Sequence, residues 1–361
     1  MAEMKIVSVV GARPQFIKCA PLSRELRRMC EEIIIHTGQH YDYVMNKVFF
    51  DELEIPSPDH HLNIGSGTHG HQTGNMLKRI EDVLIEEKPD LVMVYGDTNT
   101  TLSGALAAVK LHITVAHVEA GLRSFDRRMP EEINRILTDH CSDILFCPTE
   151  NAVKNLRREG VTRGIHLVGD IMVDALNENI EIAEKKSGIL NELDLEPKKY
   201  YLITIHRAEN TDDYERLKNI VDAACEIENL VFPCHPRTEK YLKEFGLWDE
   251  LVERVKVIQP VGYWDMLMLE KNAKKIVTDS GGIQKEAYIL KVPCITLRMS
   301  TEWIETVEAG KNMLVDVNKN KIINIIHKFE PGGRYKDIFG KNASGKICEV
   351  LDSLKDASVN G

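Results

Sequence analysis

The chain has 361 residues, too many for one ordinary hydrophobic core, so two domains are expected. Its composition, 43% hydrophobic and 28% charged, is that of a globular protein, and no apolar run is long enough to span a membrane. A formal net charge of -10 speaks against a general nucleic-acid binder, which needs a basic face to release counterions, but not against a local cationic pocket for one phosphorylated ligand.

Lys5–Val10 begins a strand almost at once, without the layout of a signal peptide, and a cytosolic protein is expected. That strand ends in Gly11-Ala12-Arg13-Pro14, and a helix is predicted from about Phe16 to Met29. Pro14 suits a first helical turn, where its missing N–H would be unpaired anyway. Free N–H groups there, with Arg13 and, one turn on, Lys18, make an anion site. The turn is not G-x-G-x-x-G, so the dinucleotide fingerprint is missing. A second strand, Glu32–His36, leads to a loop-rich stretch, Pro56–Gly74, expected to be mobile and to lie over the site. A helix is expected over Gln72–Lys88.

The segment from Leu91 to Arg135 organises the rest. Strand Leu91–Tyr95 runs into Gly96-Asp97, and strand Ile113–Val118 into Glu119-Ala120-Gly121-Leu122-Arg123. Pro130-Glu131-Glu132 then opens another helix. Residues just past the carboxyl ends of parallel strands line a ligand crevice, which places Asp97 and Glu119 there, with Glu131 a short loop later. Taken singly, each has a structural reading: Asp97 as a helix cap, Glu131 and Glu132 as complements to a helix dipole. Three carboxylates at one sheet edge, with Arg123, Arg127, Arg128 and Arg135 near in sequence, read better as a site, because like charges brought together are costly.

Strands at Ser142–Cys147 and Ile165–Val168 complete this half, and Gly169-Asp170 reads as a hinge. The alternation restarts with Tyr200–Ile205, ending at His206-Arg207. It continues through Asn229–Cys234 and Val255–Gln259 to Lys275–Thr278, which feeds Asp279-Ser280-Gly281-Gly282 and a helix. That Gly-Gly turn aims backbone N–H groups at a diphosphate, and Glu286, one turn inside, is placed to accept two ribose hydroxyls. An ordinary βα turn remains the structural alternative.

The fold class expected is α/β: two doubly wound Rossmann-like domains, residues 1–169 and 170–340, facing a cleft, with a C-terminal helix over 341–361 packing back on the first domain. Such a pair without G-x-G-x-x-G suggests a sugar-nucleotide enzyme of the glycosyltransferase-B type. No Asp-x-Asp occurs, so the departing diphosphate must be neutralised by Arg, Lys and helix N-termini. The eight cysteines include no C-x-x-C pair and read as buried free thiols. His36-x-x-x-His40 and His69-x-His71 lack an evident third ligand, and no metal is expected.

In these motifs and their order the chain closely resembles the non-hydrolysing UDP-N-acetylglucosamine 2-epimerases. The segments that match are Gly11-Ala12-Arg13-Pro14 with Lys18, Thr37-Gly38-Gln39-His40, Gly96-Asp97-Thr98, and His117 through Arg123. Pro130-Glu131-Glu132 with Asn134-Arg135, His206-Arg207, Asp279 through Gln284 with Glu286, and Thr301-Glu302 follow. The resemblance implies a homodimer that interconverts UDP-N-acetylglucosamine and UDP-N-acetylmannosamine without cofactor, membrane or nucleic acid. It implies Asp97, Glu119 and Glu131 as acid/base carboxylates, assisted by His206. It implies Arg13, Lys18, Arg123 and Arg207 as substrate cations, Ser280, Gly281 and Gly282 on the diphosphate, Glu286 on the ribose, and Trp264 and Met266 near the uracil. Bacterial members bind a second substrate molecule as activator, through regions matching Gln39-His40 and His235. Here Gln15, Ala208, Lys285, Trp303-Ile304 and Cys234-His235-Pro236-Arg237 depart from the family pattern; of the two activator regions the first is present and the His235 region is altered, so the resemblance does not carry that regulation over. Three rivals stand beside this reading: a metal-independent glycosyltransferase, a hydrolysing epimerase, and a non-catalytic sugar-nucleotide sensor.

Overall fold

The structure is a computed structural model that describes residues 4–38, 53 and 55–359. It divides into two compact units, Met1–Glu178 with Asp337–Gly361, and Asn179–Lys336. The division falls inside helix Ile171–Lys186, which follows the Gly169-Asp170 turn.

The first unit is built on seven strands: β1 (Lys5–Val10), β2 (Glu31–His36), β3 (His60–His61), β4 (Leu91–Tyr95), β5 (Thr114–Val118), β6 (Ile144–Cys147) and β7 (Ile165–Leu167). Their order is β3-β2-β1-β4-β5-β6-β7, and every pairing is parallel. The direction of winding reverses between β1 and β4, the point at which such sheets open a crevice beyond their carboxyl ends. Val9 pairs with Val94, and Tyr95 with Val118, so the turns that follow β1, β4 and β5 lie side by side. β1 and β4 are apolar throughout, apart from Lys5 and Ser8, because both faces of the sheet are covered. Helix Asn99–Lys110 approaches the sheet closely: a Cβ on its Gly104 would lie 2.9 Å from Val94 Cγ1.

Two expectations need correcting here. Helix Arg13–Met29 starts three residues earlier than predicted, with Pro14 in its first turn. The stretch Pro56–Gly74 is not one loop. Its His60-His61 adds a strand beside β2, and helix His69–Glu87 begins within it, driven by Gln72, Met76 and Ile80 burying one face despite the helix-poor glycines at 70 and 74.

The second unit repeats the plan with β8 (Tyr201–Thr204), β9 (Leu230–Pro233), β10 (Lys256–Ile258), β11 (Lys275–Thr278), β12 (Cys294–Thr296) and β13 (Asn312–Leu314). The order is β10-β9-β8-β11-β12-β13, again all parallel. Alternate residues of β8 feed two cores, Tyr201 and Ile203 one and Leu202 the other, as the two-residue period of a strand requires. The winding reverses between β8 and β11, where Thr204 pairs with Thr278.

The C-terminal helix Ala343–Val359 belongs to the first unit. Ser344 donates to Asp174 through both its N–H and its hydroxyl, each at 2.8 Å, and Ile347 and Leu351 are buried. All eight cysteines are free, five of them buried and three half-buried. Among the described residues no helix is long and apolar enough to cross a membrane, and no three His, Cys, Asp or Glu side chains cluster as a metal site.

Candidate active site

In the first unit, the turns after β1, β4 and β5 bring Lys18, Asp97 and Glu119 together. Lys18, one turn into helix Arg13–Met29, forms an ion pair with Glu119, both side chains being almost fully buried. That pair lies over the Gly96 backbone: a Cβ there would stand 2.9 Å from Lys18 Nζ and 3.3 Å from Glu119 Oε2. Gly96 also has φ +66°, so both space and conformation demand glycine. Asp97 pairs with the buried Arg135, whose guanidinium also donates to Glu132 at 2.9 and 3.0 Å. Burial raises the Asp97 pKa above its ordinary value; Arg135 and Lys18 lower it, and the charges of Glu131 and Glu119 raise it further. Glu131 thus acts electrostatically on the same place, from the first turn of helix Pro130–Cys141. Asn134 of that helix donates to the Asp97 carbonyl at 2.9 Å. A pocket of about 470 Å³ opens beside these residues, lined by His69, Asn99, Arg127, Arg128 and Asn134 among others.

The backbone around the carboxylates is tightly tied. Glu119 has φ +77°, a left-handed conformation that a residue with a Cβ adopts only at a cost. It is held there by two N–H groups, of Glu119 and Ala120, on the Phe146 carbonyl at 3.1 and 3.0 Å. Gln15, which stands where the resembled family favours an acid, accepts from the N–H groups of Gly11 and Ala12 and donates to the Tyr95 carbonyl. An amide does both, so Gln15 links the β1 and β4 turns where a carboxylate could only accept.

The other predicted cations of this unit differ in their surroundings. Arg13 is half-buried at the helix start. Arg123 is buried, and its guanidinium is engaged by Asp139 at 2.7 Å, by Glu159 at 2.7 and 2.8 Å, and by the Leu122 carbonyl. Its role in this structure is to tie the β5 turn to two helices, which differs from the substrate contact expected.

In the second unit the switch point between β8 and β11 gathers His206, Arg207 and Ser280. Asp279, fully buried, accepts from the N–H groups of His206 and Arg207 and from Asn210, and stands 3.4 Å from the His206 ring. The His206 side chain is 42% exposed and so open to a ligand. Ser280 caps helix Gly281–Ile289, its hydroxyl accepting from Ile283 N–H at 3.4 Å. A Cβ on Gly282 would meet only Ser280 Oγ, at 3.8 Å, whereas a Cβ on Gly281 would lie 3.2 Å from Glu302 Cδ and 3.5 Å from Trp303 Nε1. Arg298 holds Glu302 at 2.8 Å, and Arg207 lies 3.8 Å from it. Glu286 is buried in the second turn of this helix. The departures Lys285 and Trp303 are neighbours, with the Lys285 ammonium 4.2 Å from the indole centroid.

Met266 packs into the core beside Tyr200 and Leu202, and Trp264 donates to Asn179 at 3.0 Å. His235 caps helix Pro236–Glu244, its Nδ1 accepting from Arg237 N–H, with its ring centroid 6.0 Å from that of His206. Gln39 and His40 lie outside the described residues. Sequence reasoning gave no role to Asp139, and it named Arg135 only as a neighbouring charge and Asp279 only as part of a motif. Each is a charged residue buried at a strand end or on the inward face of a helix, and the signal for them was polarity where the apolar periodicity calls for a core position.

Residues 24–352 match the family model described as UDP-N-acetylglucosamine 2-epimerase. A UDP-N-acetylglucosamine 2-epimerase homolog from Methanococcus maripaludis is 61% identical, with 97% of this chain and 100% of the relative covered. The crystal structure of the Methanocaldococcus jannaschii UDP-GlcNAc 2-epimerase in complex with UDP-GlcNAc and UDP is 53% identical, with a TM-score of 0.92 over 97% of this chain and 100% of that one. A UDP-2,3-diacetamido-2,3-dideoxy-D-glucuronate 2-epimerase from Pseudomonas aeruginosa is 50% identical, with 97% of this chain and 100% of the relative covered. The likeness extends to the fold, two doubly wound units of the glycosyltransferase-B-like class.

Proposed function

Because the chain belongs to the UDP-N-acetylglucosamine 2-epimerase family and is an isomerase, we propose that it interconverts UDP-N-acetylglucosamine and UDP-N-acetylmannosamine in the cytoplasm, as a homodimer. The observation that carries this reading is the convergence of Asp97, Glu119 and Lys18 at one sheet edge, under the charge of Glu131.

The C2 proton of the sugar has no adjacent carbonyl to acidify it. Breaking the C1–O bond ahead of proton loss gives the ring oxocarbenium character. The C1–O electrons leave with UDP, a carboxylate takes the C2 proton, and the C2–H electrons form the C1=C2 double bond of a 2-acetamidoglucal. UDP then re-adds to C1 while an acid delivers a proton to the opposite face of C2. Two faces need two proton-handling groups, and neighbouring carboxylates with separated pKa values supply an acid and a base at one pH. The raised pKa of Asp97 fits the acid. The Ser280-Gly281-Gly282 turn and Arg207 hold the diphosphate, Glu286 the ribose, Arg13 steadies the departing UDP, and His206 assists.

A second reading keeps the chemistry and changes the sugar. The relative that acts on UDP-2,3-diacetamido-2,3-dideoxy-D-glucuronate is nearly as similar as the UDP-GlcNAc enzyme, and Arg127 at the pocket beside Asn134 offers a partner for a sugar carboxylate, while Arg128 there is paired with Asp126. Proton NMR of the protein with each sugar nucleotide in deuterated water tests both. The expected result is growth of the C2 epimer of UDP-N-acetylglucosamine with deuterium entering only at C2. Faster turnover of the uronate selects the second reading, and release of free N-acetylmannosamine with UDP overturns reversible epimerisation.

A further inference from the structure

His117 is the one charged or ionisable residue inside β5, and it is fully buried. Its ring is engaged at both nitrogens. Nε2 lies 2.7 Å from the Gly96 carbonyl, and Nδ1 lies 2.7 Å from Asp139 Oδ1. A carbonyl oxygen can only accept, so Nε2 carries a proton. Asp139 also accepts from Gly121 N–H at 3.0 Å and from Arg123 at 2.7 Å. A carboxylate meeting a guanidinium, a backbone N–H and an imidazole has acceptor work for both oxygens and none for a proton of its own. Burial pushes the Asp139 carboxyl up, but His117 and Arg123 outweigh it and hold it below the ordinary value. Nδ1 therefore donates as well.

The other groups in this surrounding are Glu159, paired with Arg123 and 3.3 Å from the His140 ring, and the Cys147 thiol on β6, which burial pushes well up and which stays neutral. One cation more than the Arg123–Glu159 pair is thus balanced by Asp139.

The position matters more than the charge balance. Gly96 immediately precedes Asp97, and its own N–H donates to the Val118 carbonyl at 3.0 Å, so β5 grips the Gly96 residue from both sides. Asp139 pins Gly121 two residues beyond Glu119, whose left-handed backbone stores strain that the turn alone would release. Gly121 itself has φ +81°, and a Cβ there would stand 2.8 Å from the Ala152 carbonyl carbon. One ion pair thereby holds the two turns that carry Asp97 and Glu119.

We propose that His117, as a buried imidazolium paired with Asp139, is a positioning residue that sets the distance between the Asp97 and Glu119 turns. The inference rests on the epimerase reading for its kinetic part, while its charge state is tested apart from any activity. In the full-length protein labelled with ¹⁵N in its histidine rings, at pH 7.5, both nitrogens of His117 are expected to carry protons, the signals being assigned by their loss in His117→Gln. A single protonated nitrogen overturns the proposal. In turnover assays His117→Leu is expected to lower kcat about a hundredfold, as a misplacement of reacting groups does, and to leave UDP affinity within about threefold of wild type. His117→Gln, which restores a donor to Gly96 without the charge, is expected to recover part of that loss. Unchanged kcat in His117→Leu, or equal loss of kcat and UDP affinity, overturns the positioning role. If His117→Leu does not fold, the ring-nitrogen spectrum of the wild-type protein decides. If the wild-type protein turns over neither sugar nucleotide, the epimerase reading falls, and the spectrum still tests the ion pair.

Discussion

Asp97 is held against its own charge. Its pKa is raised by burial, lowered in part by Arg135 and Lys18, and raised again by Glu131 and Glu119. A carboxyl with a folded-state pKa above its unfolded value contributes stability that is present at low pH and lost as pH rises through the folded pKa. Unfolding measured by denaturant from pH 4 upward should therefore show the wild type losing ground to Asp97→Asn, which does not titrate, while Asp97→Asn loses turnover. Parallel stability curves would mean that Arg135 fully offsets the burial. Glu119→Gln should lower turnover at least about a hundredfold, as loss of an acid or base does, with UDP still bound in calorimetry. These carboxylates were legible in the sequence because each follows directly on a strand or opens a helix behind a proline. Arg123 misled for the opposite reason: its partners Asp139 and Glu159 are 16 and 36 residues away, and only the fold shows that its guanidinium is spent. His117 was visible as part of a motif, but its two acceptors come from neighbouring elements that no single-strand pattern encodes.

At the scale of elements, helix Gly281–Ile289 joins stability to binding. Ser280 caps it, so Ser280→Ala should cost about 1 kcal/mol of stability and weaken UDP binding, read by thermal melts and calorimetry. Gly281→Ala should be worse for binding than for folding, since its φ is ordinary and the new Cβ would displace the Glu302 carboxylate, beside Arg207. Equal affinities for Gly281→Ala and wild type would remove this turn from the diphosphate site. Apart from the short edge strands β3 and β13, the strands of both sheets were readable because buried parallel strands are short continuous apolar runs between turn residues. The short helices were not. No helix was predicted between the strands Asn229–Cys234 and Val255–Gln259, yet Pro236 opens a nine-residue helix that buries only Thr238 and Leu242. Helix Lys319–Lys328 lies in a segment without strong caps beyond Asn318, and its burial of Ile322 and Ile326 comes from packing. Helix His69–Glu87 formed over two glycines for the same cause, contacts outweighing propensity.

At the scale of the whole molecule, the chain is two α/β units with separate cores, the second inserted in the sequence of the first. Each sheet has its own switch point, with Asp97 and Glu119 beside one and the Ser280-Gly281-Gly282 turn at the other. Chains of this kind unfold in more than one step when their cores are distinct. A ligand that binds the native form of one unit raises that unit's stability alone, by about 2.7 kcal/mol at a hundred times its Kd. Scanning calorimetry should accordingly show two transitions, of which UDP moves one upward. Ser280→Ala identifies the unit concerned, because losing its helix cap lowers the same transition in the absence of UDP. The shifted transition should be the one that Ser280→Ala lowers, and Gly121→Ala, strained at φ +81°, should lower the other. If UDP instead raised the transition marked by Gly121→Ala, the nucleotide's main contacts would lie with the carboxylates and Arg13, and the assignment of the diphosphate to Ser280-Gly281-Gly282 would fail.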